Sequence, residues 1–150
     1  MDHVAIMKKS WGLTRKIISG KKTIESRWYK LKRSPWGKIA AGDSVYFKDS
    51  GEPVRIRAKV KHIVAFEDID PKKVLWILKK YGNQDGINAK DTQKFFNMFK
   101  DKKYCLLIFL KDVKEVKPFQ INKKGFGAMS AWITLDNVNK IRRGQTKKPI

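Results

Sequence analysis

Glu25 and Arg27 are the residues of this sequence whose types and spacing most directly permit recognition chemistry. They are two positions apart in the strand-like segment 22–29, so their side chains share one face. Glu25 is also the single acid among eleven basic residues between Lys8 and Lys38. The pair can form a structural ion pair, or it can present a carboxylate acceptor beside a planar guanidinium donor to a base or nucleotide. Local chemistry leaves both interpretations open.

A second group of candidates combines aromatic rings with glycine and lysine. Phe126 lies between two glycines, which let backbone approach a ligand closely, and it follows Lys124 after one residue. Trp11 and Trp132 can line the same cleft as stacking platforms for an unpaired or modified base. The competing interpretation is a tight turn with aromatic side chains that belong to the core.

Patterns that define metal or cofactor enzymes are missing from the sequence. It has no Gly-rich phosphate loop and no cysteine pair, and its two histidines, His3 and His62, are far apart. The single cysteine, Cys105, lies in an apolar run, where a thiol is usually a small buried hydrophobe. We therefore expect no metal and no cofactor, and a binding module is favoured over an enzyme.

Charge is the strongest compositional signal. Thirty-five Lys and Arg residues against fourteen Asp and Glu residues give a net charge of +21. Such an excess favours a polyanionic partner, and RNA is the expected one, because Lys and Arg displace the cations condensed on phosphates. Within the basic segment, Lys21 and Lys22 are the expected phosphate contacts. The competing interpretation is a generally basic surface without a specific partner.

Length and composition indicate one domain. A chain of 150 residues, 41% of them hydrophobic, is long enough for one core. No stretch approaches the roughly 20 apolar residues of a membrane span, and the first residues lack the pattern of a signal peptide. We expect a single cytoplasmic domain over 1–139, no membrane partner, and a basic, flexible tail at 140–150.

Alternation and turn residues predict most of the strands. Residues Val54 to Val64 alternate apolar with basic side chains, as in a half-buried strand. The continuous apolar run Tyr104 to Leu110 is typical of a central strand that is covered on both faces. Shorter strands are predicted at Val4–Met7, Lys22–Tyr29, Ser44–Lys48, Val113–Val116 and Ala131–Leu135.

Three helices accompany these strands. The first is predicted over Leu13–Ser19 with Gly20 as its cap. The second begins at Asp70-Pro71, and the third follows Asp91, so that both lie in an insertion at about 70–101 that covers the sheet. The order of elements predicts an α+β fold, in which a small mixed sheet closes into a β-barrel with peripheral helices.

One segment resembles the signature of the ASCH domain. The shared pattern, after a short helix and before a Gly-Asp turn at 42–43, is Gly20-x-Lys22-x-x-Glu25-x-Arg27. Residues 122–132 are also similar to the closing segment of related PUA-like proteins, and the chain looks most similar to an archaeal subgroup. The resemblance implies a PUA-like barrel of the ASCH type. It also implies a cleft beside the motif that binds RNA or a nucleotide, carried here by Lys22, Glu25 and Arg27.

The main functional expectation is an RNA-binding module with a basic surface and a cleft that reads an unpaired or modified base or nucleotide. The resemblance also implies an amidohydrolase alternative, because small bacterial ASCH proteins include amidohydrolases of acetylated cytidine with a Thr nucleophile near a Lys. Here Glu25 occupies the position of that Thr, and the catalytic candidates would be Lys22, Thr23 and Glu25. Two further interpretations are a ribonuclease and a passive ribonucleoprotein interaction protein.

Overall fold

The computed structural model describes residues 1–143, which contain seven strands and three α-helices. The strands are β1 (Asp2–Met7), β2 (Ile24–Tyr29), β3 (Ser44–Asp49), β4 (Val54–Phe66), β5 (Tyr104–Ile121), β6 (Trp132–Leu135) and β7 (Arg142–Arg143). The helices are α1 (Leu13–Ile18), α2 (Pro71–Tyr81) and α3 (Thr92–Phe99). No helix in residues 1–143 has the length and apolar character needed to cross a membrane.

The strands form a mixed sheet that curls into a half-barrel. Its order is β2-β5-β4-β3-β1-β6, and β7 pairs with β5. Strands β1 and β3 run parallel, and the other neighbours run antiparallel. The two ends of the sheet approach each other where Arg27 Nη1 in β2 donates to the carbonyl of Ala131, just before β6, at 3.3 Å. The predicted small mixed barrel with peripheral helices is confirmed in this half-barrel form.

Strands β4 and β5 form the centre of the sheet. The predicted alternation in β4 is confirmed by four buried side chains, those of Val54, Ile56, Ala58 and Val60. Strand β5 continues without a break to Ile121, so the separate strand predicted at Val113–Val116 is wrong. Asp112 has a φ of 51°, which bends β5 next to that position, while the pairing with β4 continues through register shifts.

Both faces of β5 are covered, as predicted. Leu106 and Ile108 pack into the core inside the curl of the sheet. Cys105 and Leu107 point the other way, into a second core under α2 and α3. Burial raises the pKa of the Cys105 thiol, which keeps this sulfur protonated and unreactive.

The two helices of the predicted insertion lie between β4 and β5. Helix α2 begins at Asp70, whose Oδ1 accepts from the backbone N–H of Lys73 at 2.8 Å, and Pro71 follows in the first turn. The buried apolar side chains that join the helices to the sheet are those of Val74, Ile77, Leu78 and Phe95. The insertion therefore forms the outer layer of the second core.

The turn between α1 and β2 positions the start of the signature segment. Gly20 has a φ of 81°, a left-handed conformation that glycine adopts without strain, as predicted for the cap. The backbone N–H of Lys22 then donates to the carbonyl of Lys16 at 3.0 Å. This turn directs the Lys22 side chain into the protein.

The segment predicted as a tail, 140–150, begins with folded residues. Lys140 ends a short 3-10 turn, and Arg142 and Arg143 form β7, whose register pairs them with Ile121 and Gln120 of β5. The first residues of this segment are therefore folded against the sheet and do not belong to a flexible tail. The rest of the predicted tail, 144–150, lies outside the described residues.

Candidate functional site

A cavity of about 280 Å³ lies beside β2, at the opening of the half-barrel. Its polar wall carries the side chains of Lys22, Glu25, Ser26, Arg27 and Asp85, and Lys8 and Lys102 also line the cavity. Its aromatic wall carries the rings of Trp11, Trp28, Phe95 and Phe99. The aromatic rings hold one another, since Trp28 stacks on Phe99 at 4.7 Å and Trp11 meets Phe95 edge-on at 5.5 Å between centroids. The cavity thus combines flat apolar surfaces with fixed hydrogen-bonding groups.

The buried ammonium group of Lys22 contacts both carboxylates of the polar wall. Its Nζ donates to the carbonyl of Ile24 at 2.7 Å, and to the carbonyl and Oδ1 of Asp85 at 2.7 and 2.5 Å. It also lies 3.1 Å from Glu25 Oε1. The second carboxylate oxygen of Asp85 accepts from Ser26 Oγ, which in turn accepts from Trp28 Nε1 at 3.0 Å. The cluster therefore connects both walls of the cavity.

The protonation states follow from burial and from neighbouring charges. Burial would lower the pKa of Lys22, but Asp85 and Glu25 outweigh it and raise that pKa. Burial would likewise raise the pKa of Glu25, but Lys22 and Arg27 hold it below its ordinary value. Burial, together with repulsion from Glu25, raises the pKa of Asp85. Lys22 and Glu25 are therefore charged at neutral pH, and Asp85 is the first of the two carboxylates to accept a proton.

Arg27 is held by four neighbouring groups. Its Nε and Nη2 donate to Glu25 Oε2 at 3.1 and 2.8 Å, and Nη1 reaches the carbonyl of Ala131. Nη2 also lies 3.4 Å from the sulfur of Met7, and the guanidinium sits 4.9 Å from the Trp132 ring centroid. The predicted ion pair on one strand face is thus present. Arg27 keeps 14% of its side chain exposed against 4% for Glu25, so Arg27 is the more accessible partner.

Trp132 is in turn fixed by a buried histidine. The Trp132 Nε1–H donates to Nδ1 of His3 at 3.1 Å, and His3 Nε2 lies 2.8 Å from Asp43 Oδ2. Because Nδ1 accepts, the proton of the neutral ring must lie on Nε2, which donates to Asp43. Burial lowers the pKa of His3 despite Asp43, so the ring is neutral. His3 is therefore a support for Trp132.

An open groove of about 900 Å³ adjoins the cavity, and the two share the lining residues Arg27, Trp28, Lys102 and Ala131. Its basic side chains are those of Arg27, Lys30, Arg33, Lys38 and Lys102. No carboxylate lines it within the described part of the chain. Leu31, Phe126 and Met129 also line the groove and are 69%, 38% and 95% exposed. The groove is therefore positively charged and partly apolar.

The predicted site residues divide into three sets. The residues in the cavity wall are Trp11, Lys22, Glu25 and Arg27. Phe126 and Trp132 line the groove, which Arg27 also reaches. Lys21, Thr23 and Lys124 are exposed and belong to neither lining. The structure thus brings most of the sequence candidates around Arg27.

Two details of the sequence interpretation require correction. Lys22 is 1% exposed and its ammonium is bound inside the protein, so it does not contact phosphates from outside. The raised pKa of Lys22 also opposes a role as a general base for Thr23, and Thr23 is exposed and does not line the cavity. The geometry therefore does not support Thr23 as a nucleophile activated by Lys22 or Glu25.

Sequence reasoning missed Asp85 and much of the aromatic wall. Asp85 is 63 residues from Lys22, and its position in a turn gave no reason to separate it from capping acids. Phe95 and Phe99 pack against the second core, and they also line the cavity. The one available signal was the basic segment itself, since a lysine buried in it requires a carboxylate partner. Within residues 1–143, no three His, Cys, Asp or Glu side chains cluster in a way that could hold a metal ion.

Solved structures of similar fold include an ASCH protein from Zymomonas mobilis. The two share a TM-score of 0.64 and 18% identity, over 90% of this chain and 87% of that chain. A single-residue variant of the same protein gives a TM-score of 0.65 and 18% identity over 93% of each chain. The N-terminal domain of Staphylothermus marinus McrB is more distant, with a TM-score of 0.50 and 12% identity over 79% of this chain and 76% of that chain.

Comparison of sequences alone gives no relative. No family model matches the sequence, and no curated protein matches it. The fold, in contrast, agrees over about nine tenths of the chain, including the curled mixed sheet and its peripheral helices. The resemblance noted in the signature segment therefore holds at the level of structure, and the chain has the ASCH-type, PUA-like fold.

Proposed function

We propose that this chain is an RNA-binding module that takes one unpaired base into the cavity and holds the adjoining backbone in the groove. The observation that carries the proposal is the adjacency of the two sites. An aromatic cavity with a fixed guanidinium opens directly onto a groove that has five basic side chains and, among the described residues, no acidic one. A base with its attached phosphates has this same arrangement of a flat ring beside a charged chain.

The size of the cavity limits the ligand. Its volume of about 280 Å³ lies just below the roughly 300–1,000 Å³ of sites for drug-sized molecules. Its aromatic walls favour a flat ring, because every base offers a π-face for stacking. A base in a duplex must leave its stack to enter such a cavity, which favours single strands, loops and unpaired bases.

Arg27 is the residue that we assign to the polar edge of the base. Glu25 is a positioning residue, because both of its oxygens are already engaged by Lys22 and Arg27. The role expected for Glu25 from its sequence position, direct reading of a base, is thereby transferred to Arg27. The carbonyl of Ala131 and the stacking on Trp132 fix the guanidinium plane from two further sides, which reduces the entropy lost when a ligand binds.

The groove supplies attraction that does not depend on sequence. Lys30 and Arg33 are paired with no carboxylate within residues 1–143. Phosphates that bind there release condensed cations, so binding must weaken steeply with salt. The exposed side chains of Leu31 and Met129 give apolar contacts for the sugar and base faces of the same strand.

Binding titrations in a salt series test the proposal. Single-stranded RNA, duplex RNA and DNA of matched sequence are compared for the wild-type protein, Arg27→Gln and Arg55→Gln. Both substitutions remove one positive charge, but Arg55 is exposed on β4 and lines neither the cavity nor the groove. The expected result is a preference for single-stranded RNA that Arg27→Gln loses and Arg55→Gln retains.

Two results would contradict the proposal. Equal losses in the two variants would indicate a passive basic surface without a reading cavity. Mass spectrometry of the recovered RNA, and of an acetylcytidine substrate, supplies the second result, since cleaved or deacetylated product would show an enzyme. Thermal melting of each variant confirms that the comparison is made between folded proteins.

A further inference from the structure

Five aromatic rings form a continuous strip across β4, β5 and α2. Their order is His62, Phe109, Tyr81, Trp76 and Phe66, with successive centroids 4.0, 6.1, 6.3 and 6.3 Å apart. His62 stacks flat on Phe109, and the remaining pairs meet edge to face. All five are exposed or half-buried. The strip therefore reaches the surface, although Phe66, Tyr81 and Phe109 also pack against the second core.

The strip is independent of the cavity and of the groove. None of its rings lines either of them within residues 1–143. Trp76 is 43% exposed, whereas the residues with which α2 packs on the sheet, Val74, Ile77 and Leu78, are buried. Trp side chains are enriched at interfaces, where the apolar ring and the N–H group both find partners.

Lysines of α2 surround the indole. The Nζ atoms of Lys73 and Lys80 lie 3.9 and 4.8 Å from the Trp76 ring centroid. The same two ammonium groups lie 5.3 Å from the Phe66 ring and 5.4 Å from the Tyr81 ring. Neither is paired with a carboxylate in the part of the chain that the structure describes. Flat rings and unpaired lysines thus alternate along one exposed ridge.

Three carboxylates lie beside the strip, next to Phe66 and Trp76. Glu67, Asp68 and Asp70 line the shallow depression beside Phe66 and Trp76. Glu67 lies 3.1 Å from Lys32, and Asp70 caps the N-terminus of α2. Lys72 and Lys73 line the same depression, so charges of both signs meet there. A polyanion is therefore favoured toward Lys80 and Tyr81, on the other side of Trp76.

We propose that this strip is a second binding surface for single-stranded RNA, on which successive bases stack while Lys73 and Lys80 contact the phosphates. Single-strand binders combine this pair of features, because every base has a π-face and every phosphate a charge. In the free protein the two ammonium groups lie over the indole, and in the complex they transfer to phosphates. The proposal rests on the proposed function for the choice of RNA over other polyanions.

Oligonucleotide length separates the strip from the cavity. A short RNA of about four nucleotides occupies the cavity and its groove, whereas one of about sixteen nucleotides also reaches further surfaces. Trp76→Leu keeps an apolar side chain but removes the π-face, and Trp76→Phe keeps a smaller π-face. The expected result is that Trp76→Leu weakens binding of the long RNA about tenfold, that Trp76→Phe weakens it less, and that both bind the short RNA as the wild type does.

Trp11→Leu, in the cavity, is the matched variant. We expect it to weaken binding of the short and the long RNA equally, which is the opposite pattern to that of Trp76→Leu. If Trp11→Leu bound both RNAs as the wild type does, the proposed cavity function would be refuted, but the proposal for the strip would not. Wild-type binding of both RNAs by Trp76→Leu would refute the strip and leave the cavity standing.

Indole fluorescence and an acidic peptide complete the test. In the wild-type protein, we expect the long RNA to stack on Trp76 and quench part of the indole emission. This quenching should be absent in Trp76→Phe, and it should also be absent with the short RNA. A polyglutamate peptide serves as the competing polyanion without bases. If polyglutamate bound in a Trp76-dependent manner and the long RNA did not, the strip would be a surface for an acidic protein partner, and the proposal would be overturned.

Discussion

The cavity and the groove share Arg27, Trp28, Lys102 and Ala131, but most of their charged groups differ in how they are paired. The four charged groups of the polar wall form salt bridges of 2.5 to 3.1 Å with one another. Lys8 and Lys102, which also line the cavity, form no salt bridge within residues 1–143. In the groove, the described residues include basic side chains and no carboxylate. Paired charges define a shape before any ligand arrives, whereas unpaired charges stay available to one. The paired charges of the cavity therefore fix the shape of the site, and the unpaired charges of the groove attract the ligand.

Burial explains why the cavity needs its pairs. Lys22, Glu25 and Asp85 are 1%, 3% and 5% exposed, and an isolated charge at such a depth would be strongly unfavourable. Two cations and two carboxylates offset this cost for one another. The groove has no such requirement, because water solvates its exposed cations. Substitutions should therefore have different consequences in the two regions.

The largest expected effect is on stability. Lys22→Met leaves Asp85 and Glu25 buried without their cation, and we expect a loss of about 3–5 kcal/mol. The matched substitution Lys30→Met, at a position in the groove, should change stability by less than about 0.5 kcal/mol. Urea denaturation of both variants measures the contrast. Similar midpoints for the two would show that the buried cluster does not stabilise the fold.

The next effect is on recognition, and it uses the same substitution in both regions. Arg27→Lys keeps the charge but removes the planar fork, and it should cost about 1–3 kcal/mol of affinity for single-stranded RNA. Arg33→Lys should bind as the wild type does, because a phosphate in the groove requires only the charge. Titration at one fixed salt concentration is sufficient. If Arg33→Lys lost as much affinity as Arg27→Lys, the two arginines would not differ in role, and Arg27 would not be the residue that reads the base.

A smaller effect appears in the dependence of stability on pH. Lys22 and Arg27 hold the pKa of Glu25 below its ordinary value of 4.5, so its stabilising contribution is complete above pH 4.5. The contribution is lost as the pH falls through the lowered pKa of the folded protein. In Glu25→Gln this part of the acid destabilisation should vanish, whereas Arg33→Gln should keep it, and denaturation at a series of pH values shows which occurs.

The smallest expected effect concerns the salt dependence of binding. A Lys30→Gln, Arg33→Gln double variant should lower the slope of log affinity against log salt by about 0.7 for each phosphate that the variant no longer binds. Its preference for single strands over duplexes should remain, because the cavity is intact. Titration across the salt series gives both quantities. An unchanged slope would mean that the phosphates follow another path on the surface.

The sequence was informative where chemistry is local. The alternation of β4, the cap at Asp70, the Gly20 turn and the pairing of Glu25 with Arg27 all depend on neighbours in the chain. Most of the fold followed from such patterns, since they set the faces of strands and the ends of helices.

The remainder depends on contacts between distant residues. Asp85 meets Lys22 only because the helical insertion places its turn beside β2, and no local pattern contains that information. The same insertion turns one side of Phe95 and Phe99 toward a cavity that their helical spacing could not reveal. Lys22 looked like a surface cation for a related reason, since burial of a lysine is decided by the carboxylates that surround it.

The boundary that the cavity shares with the groove, lined by Arg27, Trp28, Lys102 and Ala131, has a consequence for affinity. A ligand that crosses this boundary engages both sites through one covalent connection. Once the first part is bound, the second is present at a high effective concentration, and the two contributions multiply. A free nucleoside has no such advantage, so this arrangement discriminates a polymer from its own monomers without any additional contact.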